Sequence, residues 1–209
     1  KLFNQFFNDW FLDPLYGGAY PTEVSDDWIK KGIIDSIDFV KEGDYNIISV
    51  PTDFLGINYY SRGIIRSEDI PESDNAPIEL IAGDKTDFDW EVYPNGLRDL
   101  LIDVNTRYKP GSIYITENGC AYDYPKSSDG QINDTRRVEY LESHISACME
   151  AVDKGVPLDG YMHWSLMDNF EWAEGYCKKF GLVGIDFDSL DRTPKKSFWR
   201  YKEIIKDSK

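Results

Sequence analysis

What most constrains this chain is an alternation. Three short apolar runs, at 53–60, 112–119 and 159–165, are separated by stretches with helical periodicity. The middle run reads Ser-Ile-Tyr-Ile-Thr-Glu-Asn-Gly. Ile113 and Ile115 are β-branched, and Tyr114 and Thr116 also favour extended backbone. The run at 53–60 is almost continuously apolar, which suits a strand covered on both faces. Between the runs, Leu97, Leu100, Leu101 and Val104 share one helical face. Val138, Leu141, Ile145, Met149 and Val152 form a second stripe, ended by Gly155 and Pro157. Strand and helix in turn predict a parallel α/β sheet.

In such a sheet the strand tips at the C-terminal edge are where side chains do chemistry. Glu117 sits at that tip, just before the turn-forming Asn118-Gly119. Asn58, Tyr59 and Tyr60 end the first run, and His163-Trp164 ends the third. A loop rich in aromatics and acids follows, with Asp168, Asn169, Phe170, Glu171, Trp172, Glu174 and Tyr176. Carboxylates and amides suit sugar hydroxyls, and aromatic faces suit the apolar face of a sugar ring. Tyr59 and Phe170 read as core rather than site. His163 alternates away from Trp164 along its strand and is expected to face the helices. His144 has no assigned role.

Composition narrows the classes further. With 23 Lys and Arg against 38 Asp and Glu, the net charge is −15, which disfavours nucleic acid and anionic membranes as partners. Cys120, Cys148 and Cys177 are odd in number and far apart, so they are expected as reduced, mostly buried thiols in a cytoplasmic setting. Two histidines leave little material for a His-based triad or zinc site. No metal and no cofactor are expected, and no apolar run is long enough to span a membrane.

At the start, Leu2, Phe3, Phe6, Phe7, Trp10 and Phe11 recur at helical spacing, with Asp13-Pro14 expected to end that helix. A short helix at 26–31 and a loop at 63–88 with a hairpin between 63–66 and 78–81 follow. Asp134 is a candidate N-cap. An extended pair is expected over 180–188 around Gly184, and a final helix at 195–206 is anchored by Phe198, Trp199 and Tyr201. The chain begins at Lys1, already inside an amphipathic pattern, and reads as a piece of something longer.

Ile-Thr-Glu-Asn-Gly and Trp-Ser-Leu-Met-Asp-Asn-Phe-Glu-Trp-Ala-Glu-Gly-Tyr resemble signature motifs of glycoside hydrolase family 1, the β-glucosidase family. Asp-Phe-Leu-Gly-Ile-Asn-Tyr-Tyr, Trp-Glu-Val-Tyr-Pro-Asn-Gly-Leu and Trp-Phe-Leu-Asp-Pro-Leu-Tyr-Gly-Gly resemble it as well. The resemblance covers essentially the whole chain. It implies α/β architecture, with residues 1–209 as the C-terminal part of a single (β/α)8 TIM barrel domain, about three of its eight strands being present.

The resemblance further implies a retaining glycosidase acting on a small neutral β-glucoside or oligosaccharide. Glu117 would be the nucleophile, and Tyr60 would hydrogen-bond its carboxylate and aim it. Asn58 would contact the site near Glu117. Trp164 would be the platform under the sugar, Glu171 and Trp172 would grip the outer hydroxyls, and Phe180 would close that pocket. Trp90 would stand on the leaving-group side. Relatives acting on 6-phosphorylated sugars carry a small hydroxyl residue where Glu171 stands, and a carboxylate there would repel phosphate.

The chain departs from the pattern in one respect. The Thr-Phe/Leu-Asn-Glu-Pro segment that holds the family's acid/base is absent, so the acid/base is expected from an N-terminal portion. That portion is also the expected structural partner, because open sheet edges are unfavourable alone. A carbohydrate-binding fragment or split subunit without hydrolysis is the alternative.

Overall fold

The computed structural model of the protein describes residues 2–65 and 83–208. The hairpin expected between 63–66 and 78–81 rests on residues outside that set. The chain separates into two compact units, Lys1–Phe54 with Val104–Gly111, and Leu55–Asp103 with Ser112–Lys209.

The first unit is helical. It opens with α1 (Leu2–Asn4), a π-helical turn (Gln5–Asp9) and α2 (Trp10–Leu15), followed by α3 (Thr22–Lys30) and α4 (Asp44–Ile48). Pro14 does not end the helix, as the sequence suggested, but lies inside the last turn of α2. A proline there deletes a single backbone donor near the end, where the loss is small. The aromatic face divides. Trp10 stacks on Tyr20 at 4.4 Å and meets Trp28 at 4.6 Å, whereas Phe3, Phe7 and Phe11 are exposed. Asp9 accepts from Arg107 Nη1 at 2.9 Å, and Asp13 from the Tyr108 hydroxyl at 2.6 Å.

The second unit carries the sheet. β1 (Leu55–Asn58), β2 (Ile113–Asn118) and β3 (Leu158–His163) run parallel in the order β1-β2-β3. α5 (Pro94–Tyr108) links β1 to β2, and α6 (Thr135–Val152) links β2 to β3. This is the expected β-then-α order, and among the described residues the three strands form an open parallel sheet. Ile113, Ile115, Leu97, Leu101 and Leu141 are fully buried, each stabilising the fold by roughly 1.5–3 kcal/mol. β1 departs from the expectation of cover on both faces. Its residues alternate between half-buried and exposed, so among the described residues one of its two faces is left uncovered.

Other details also differ from the sequence reading. On α6, Met149 is exposed, and the buried stripe instead includes Arg137, Tyr140, His144 and Cys148. Asp134 stands at the N-cap of α6 but makes no side-chain cap. Its carboxylate pairs with Arg137 and accepts from Ser197 N at 2.9 Å and Ser197 Oγ. A buried charge is better satisfied by an opposite charge and two donors than by one helix amide. The extended pair does not lie within 180–188: Gly184 sits inside β4 (Val183–Ile185), whose partner is β5 (Arg192–Pro194), leading into α7 (Lys196–Asp207). On α7, Trp199 is exposed, while Tyr201 donates to the Tyr161 carbonyl at 2.9 Å.

Candidate functional site

Glu117 and Asn58 lie in register on neighbouring strands. Asn58 is exposed and accepts from Thr116 Oγ1 at 2.7 Å. The β1–β2 register shifts between Ile57 and Asn58, and Tyr59 N then donates to the Glu117 carbonyl at 2.9 Å. The irregularity carries the chain past the strand end so that Tyr60 reaches back. Its hydroxyl donates to Glu117 Oε2 at 2.7 Å. Burial, reinforced by the bond to Glu117 and the charges of Glu117 and Glu171, raises the Tyr60 phenol well above its usual range. The hydroxyl therefore stays protonated and remains a donor.

β3 delivers Trp164 to the same edge, where its amide donates to the Asn118 carbonyl at 3.0 Å. The Trp164–Ser165 peptide is cis. Gly119 explains how closely the two strand ends approach. A Cβ at that position would lie 1.8 Å from the Trp164 carbonyl oxygen, so no larger residue fits. The sequence suggested that Gly119 serves turn flexibility, but its reason is this contact.

Burial raises the Glu171 carboxyl above its ordinary value, opposed by the nearby Trp164 indole N–H, that side chain's only donor, and reinforced by the charge of Glu117. Glu171 is thus within electrostatic reach of both Glu117 and Tyr60. Trp172 heads a 3-10 turn (Trp172–Glu174) and is 84% exposed. Phe170, expected in the core, is exposed and meets Tyr176 edge-on at 5.4 Å. Tyr59 is core as expected, its hydroxyl donating to the Tyr93 carbonyl at 2.7 Å.

Phe180 and Trp90 join Tyr60 in an aromatic wall. Tyr60 lies 5.2 Å from Trp90 and 6.2 Å from Phe180, and Phe88 stacks on Trp90 at 4.3 Å. Phe180 is buried at 2% exposure, so in this structure it backs the wall. A cleft of about 600 Å³ opens beside Tyr60 and Trp90, lined also by Ser61, Arg62, Lys85 and Glu91. Arg62 forks onto Glu91 at 2.7 and 3.0 Å and lies over the Tyr93 ring at 3.6 Å. The Arg62 bond, opposed in part by burial, holds the Glu91 carboxyl below the usual range. A second cavity of about 160 Å³, lined by Tyr122, Lys126, Asp168, Lys179 and Lys195, contains none of the expected site residues.

Sequence reasoning passed over several residues at this edge. Arg62 and Phe88 carry no periodic or motif signal of their own, and Glu91 stands in the Trp-Glu-Val-Tyr-Pro-Asn-Gly-Leu motif without an assigned role. Asp168 likewise stands in a signature-like motif without an assigned role. It is buried, accepts from Gly181 N at 2.8 Å and pairs with buried Lys195 at 2.9 Å. Pairing across 27 positions leaves no local trace in a sequence. His163 faces Tyr201 of α7 at 6.1 Å, as its alternation predicted. Cys120 and Cys148 are buried, whereas Cys177 is exposed, and all three are free. Among the described residues no group of three His, Cys, Asp or Glu could hold a metal. No helix among them is long and apolar enough to cross a membrane.

Comparison with known proteins bears on this arrangement. Beta-glucosidase A of Acetivibrio thermocellus is 42% identical over 95% of this chain and 44% of its own length. A 6-phospho-beta-galactosidase of Clostridium acetobutylicum is 33% identical over 97% of this chain and 47% of its own length. A solved beta-glucosidase from Thermotoga maritima in complex with galacto-hydroximolactam superposes with a TM-score of 0.80 at 36% identity, over 98% of this chain and 45% of that one. The chain thus spans less than half the length of these relatives, matching their C-terminal portion. Residues 1–209 match the family described as "Glycosyl hydrolase family 1", and on these grounds the chain belongs to glycosyl hydrolase family 1, its three parallel strands forming part of that family's TIM barrel.

Proposed function

We propose that the full-length protein containing this chain is a retaining β-glycosidase of the β-glucosidase type, acting on small neutral β-glucosides or oligosaccharides. The observation that carries this reading is the 2.7 Å bond from Tyr60 to Glu117 at the C-terminal tip of β2. A carboxylate held by a protonated phenol, next to an indole platform, is equipped to attack a sugar. Glu117 attacks the anomeric carbon as the bond to the leaving oxygen breaks, giving a glycosyl ester. A second carboxyl about 5–5.5 Å away protonates that oxygen and then activates water. That group comes from the portion of the barrel outside these 209 residues. Trp164 carries the ring, and Glu171 and Trp172 grip its outer hydroxyls. Asn58 lies beside Glu117, Trp90 lines the leaving-group side, and Phe180 backs the pocket.

Glu171 supports the preference for neutral substrates, because its carboxylate repels a phosphate dianion. Lys178 does not offset it, since its amine donates to the Asp87 carbonyl at 2.6 Å and lies over Phe88. Three free thiols support a reducing, cytoplasmic setting.

The test is hydrolysis of p-nitrophenyl β-glucoside by the full-length protein and its Glu117→Ala variant. A fall on the order of 10⁵-fold is expected, with azide restoring turnover as the α-glycosyl azide. Wild-type kcat in the variant would end the nucleophile reading. Comparable turnover of the 6-phosphoglucoside would end the neutral-substrate reading. Full-length protein that binds glucosides but never hydrolyses them would favour a carbohydrate-binding protein instead.

A further inference from the structure

The residue after Glu117 is fully buried and polar. Asn118 has 0% exposure, yet its whole carboxamide is engaged. Nδ2 donates to the Tyr59 carbonyl at 2.7 Å and to the Tyr140 hydroxyl at 3.1 Å. Oδ1 accepts from the Tyr161 hydroxyl at 2.5 Å. Tyr59 follows β1, Tyr161 lies on β3 and Tyr140 on α6, so one side chain ties together the elements around the tip of β2. The orientation of the amide follows from chemistry, because a carbonyl oxygen can only accept and must face the amino group.

This tie stands where the backbone ladders are irregular. The β1–β2 register shifts between Ile57 and Asn58, and the β2–β3 register shifts between Ile115 and Asn118. Regular pairing therefore does not by itself set the height of Glu117 between its neighbours. The Tyr140 hydroxyl also donates to the Tyr60 carbonyl at 3.3 Å. The same cluster thus holds the side chain of Glu117's neighbour and the backbone of its hydrogen-bond donor.

We propose that Asn118 is a positioning residue, whose carboxamide, through Tyr161 and Tyr140, sets the Glu117 carboxyl against the Tyr60 hydroxyl. The inference rests on Glu117 being the nucleophile. Aspartate is no substitute, because it would turn an oxygen toward the Tyr59 carbonyl now 2.7 Å from Nδ2. Leucine would leave that carbonyl and the Tyr161 hydroxyl buried and unpaired. Geometry at a reacting atom is unforgiving, a displacement of about 1 Å costing on the order of 10²-fold.

The experiment uses full-length protein and 2,4-dinitrophenyl 2-deoxy-2-fluoro-β-glucoside. In the labelling step a Glu117 oxygen bonds to the anomeric carbon, and the dinitrophenolate leaves with the electron pair of the broken C–O bond. Mass analysis locates the label, phenolate release gives the rate, and binding of a reversible sugar-like inhibitor is measured alongside. Asn118→Asp is expected to slow labelling about 10²-fold. Tyr161→Phe, a milder change that keeps charge and bulk, is expected to slow it about tenfold. Inhibitor binding should stay within about twofold in both. Labelling of Tyr161→Phe at the wild-type rate overturns the proposal, and so does a fall in labelling matched by an equal loss of inhibitor binding. Wild-type label on a carboxyl other than Glu117 overturns the nucleophile reading, and this inference with it.

Discussion

Two regions at the C-terminal edge of the sheet are built in opposite ways. Around the tip of β2, the groups behind Glu117 are sealed, with Asn118, Tyr140 and His144 at no more than 1% exposure. The Asn118 amide and the Tyr140 hydroxyl bond across strands and helix, and His144 Nδ1 bonds the Tyr140 carbonyl one turn back while its Nε2 has no partner among the described residues. The loop after β3 is open, with Trp172 at 84% exposure, and is anchored by the buried pair of Asp168 and Lys195. The difference teaches how such a site divides its labour. The proposed nucleophile stands at a sealed strand tip, and the groups proposed to recognise sugar stand on a loop that solvent can reach.

The comparison breaks first at the loop's anchor. Lys195→Met leaves Asp168 buried with only the Gly181 amide, and is expected to destabilise the full-length protein by about 3–5 kcal/mol. Burial already lowers the Lys195 amine to about 8, against the pull of Asp168. Adding Asp168→Asn to Lys195→Met should recover part of the loss. Urea unfolding of the two variants checks this, and a single-variant cost under about 0.5 kcal/mol would mean that the loop is held elsewhere.

A somewhat smaller effect tests the sealed region. The His144 Nδ1–H donates to the Tyr140 carbonyl at 2.8 Å, and the ring stacks on Tyr140 at 3.8 Å. Burial, partly opposed by that bond, lowers the imidazole from 6.5 to about 4. The folded protein therefore keeps His144 neutral in a range where the unfolded chain binds a proton. Its contribution is fully present above pH 6.5 and lost as pH falls toward 4, a span of about 3 kcal/mol. His163, lowered by burial to about 3, acts in the same direction. Denaturant midpoints from pH 7 to 4 should fall less steeply for His144→Phe than for wild type. Equal slopes would show that the seam is not sealed against protons.

The smallest effect on stability sharpens the contrast. Trp172→Ala removes an exposed ring, and should change stability by less than about 0.5 kcal/mol. It should nevertheless raise KM for β-glucosides up to about tenfold, as expected for loss of an indole N–H hydrogen bond to a sugar hydroxyl, about 0.5–1.5 kcal/mol. A large stability loss with unchanged KM would make Trp172 a structural residue and erase the distinction between the regions.

The residues of the candidate site were legible because the motifs that carry them are local and long. The places of Glu117 at a strand tip, Trp164 at the next and Tyr60 after β1 all follow from short apolar runs and the residues that end them. Other assignments went astray for identifiable reasons. Phe170 and Phe180 are both aromatic and lie ten positions apart, yet one is exposed and the other buried. Residue type alone does not tell which faces the core. Met149 matches the helical stripe but points outward, because the face of α6 that packs is shifted toward Arg137, Tyr140 and His144.

By itself the sequence determined the alternation of strands and helices, the parallel sheet, and which side chains end its strands. Those properties depend on neighbours within a few residues, where backbone sterics and hydrophobic periodicity act. Only the tertiary structure decided the bond between Tyr60 and Glu117 across 57 positions, the closure of Gly119 on Trp164, and the pairing of Asp168 with Lys195. Such contacts depend on strand register and loop closure, and no local pattern encodes the distance between residues that meet only after folding.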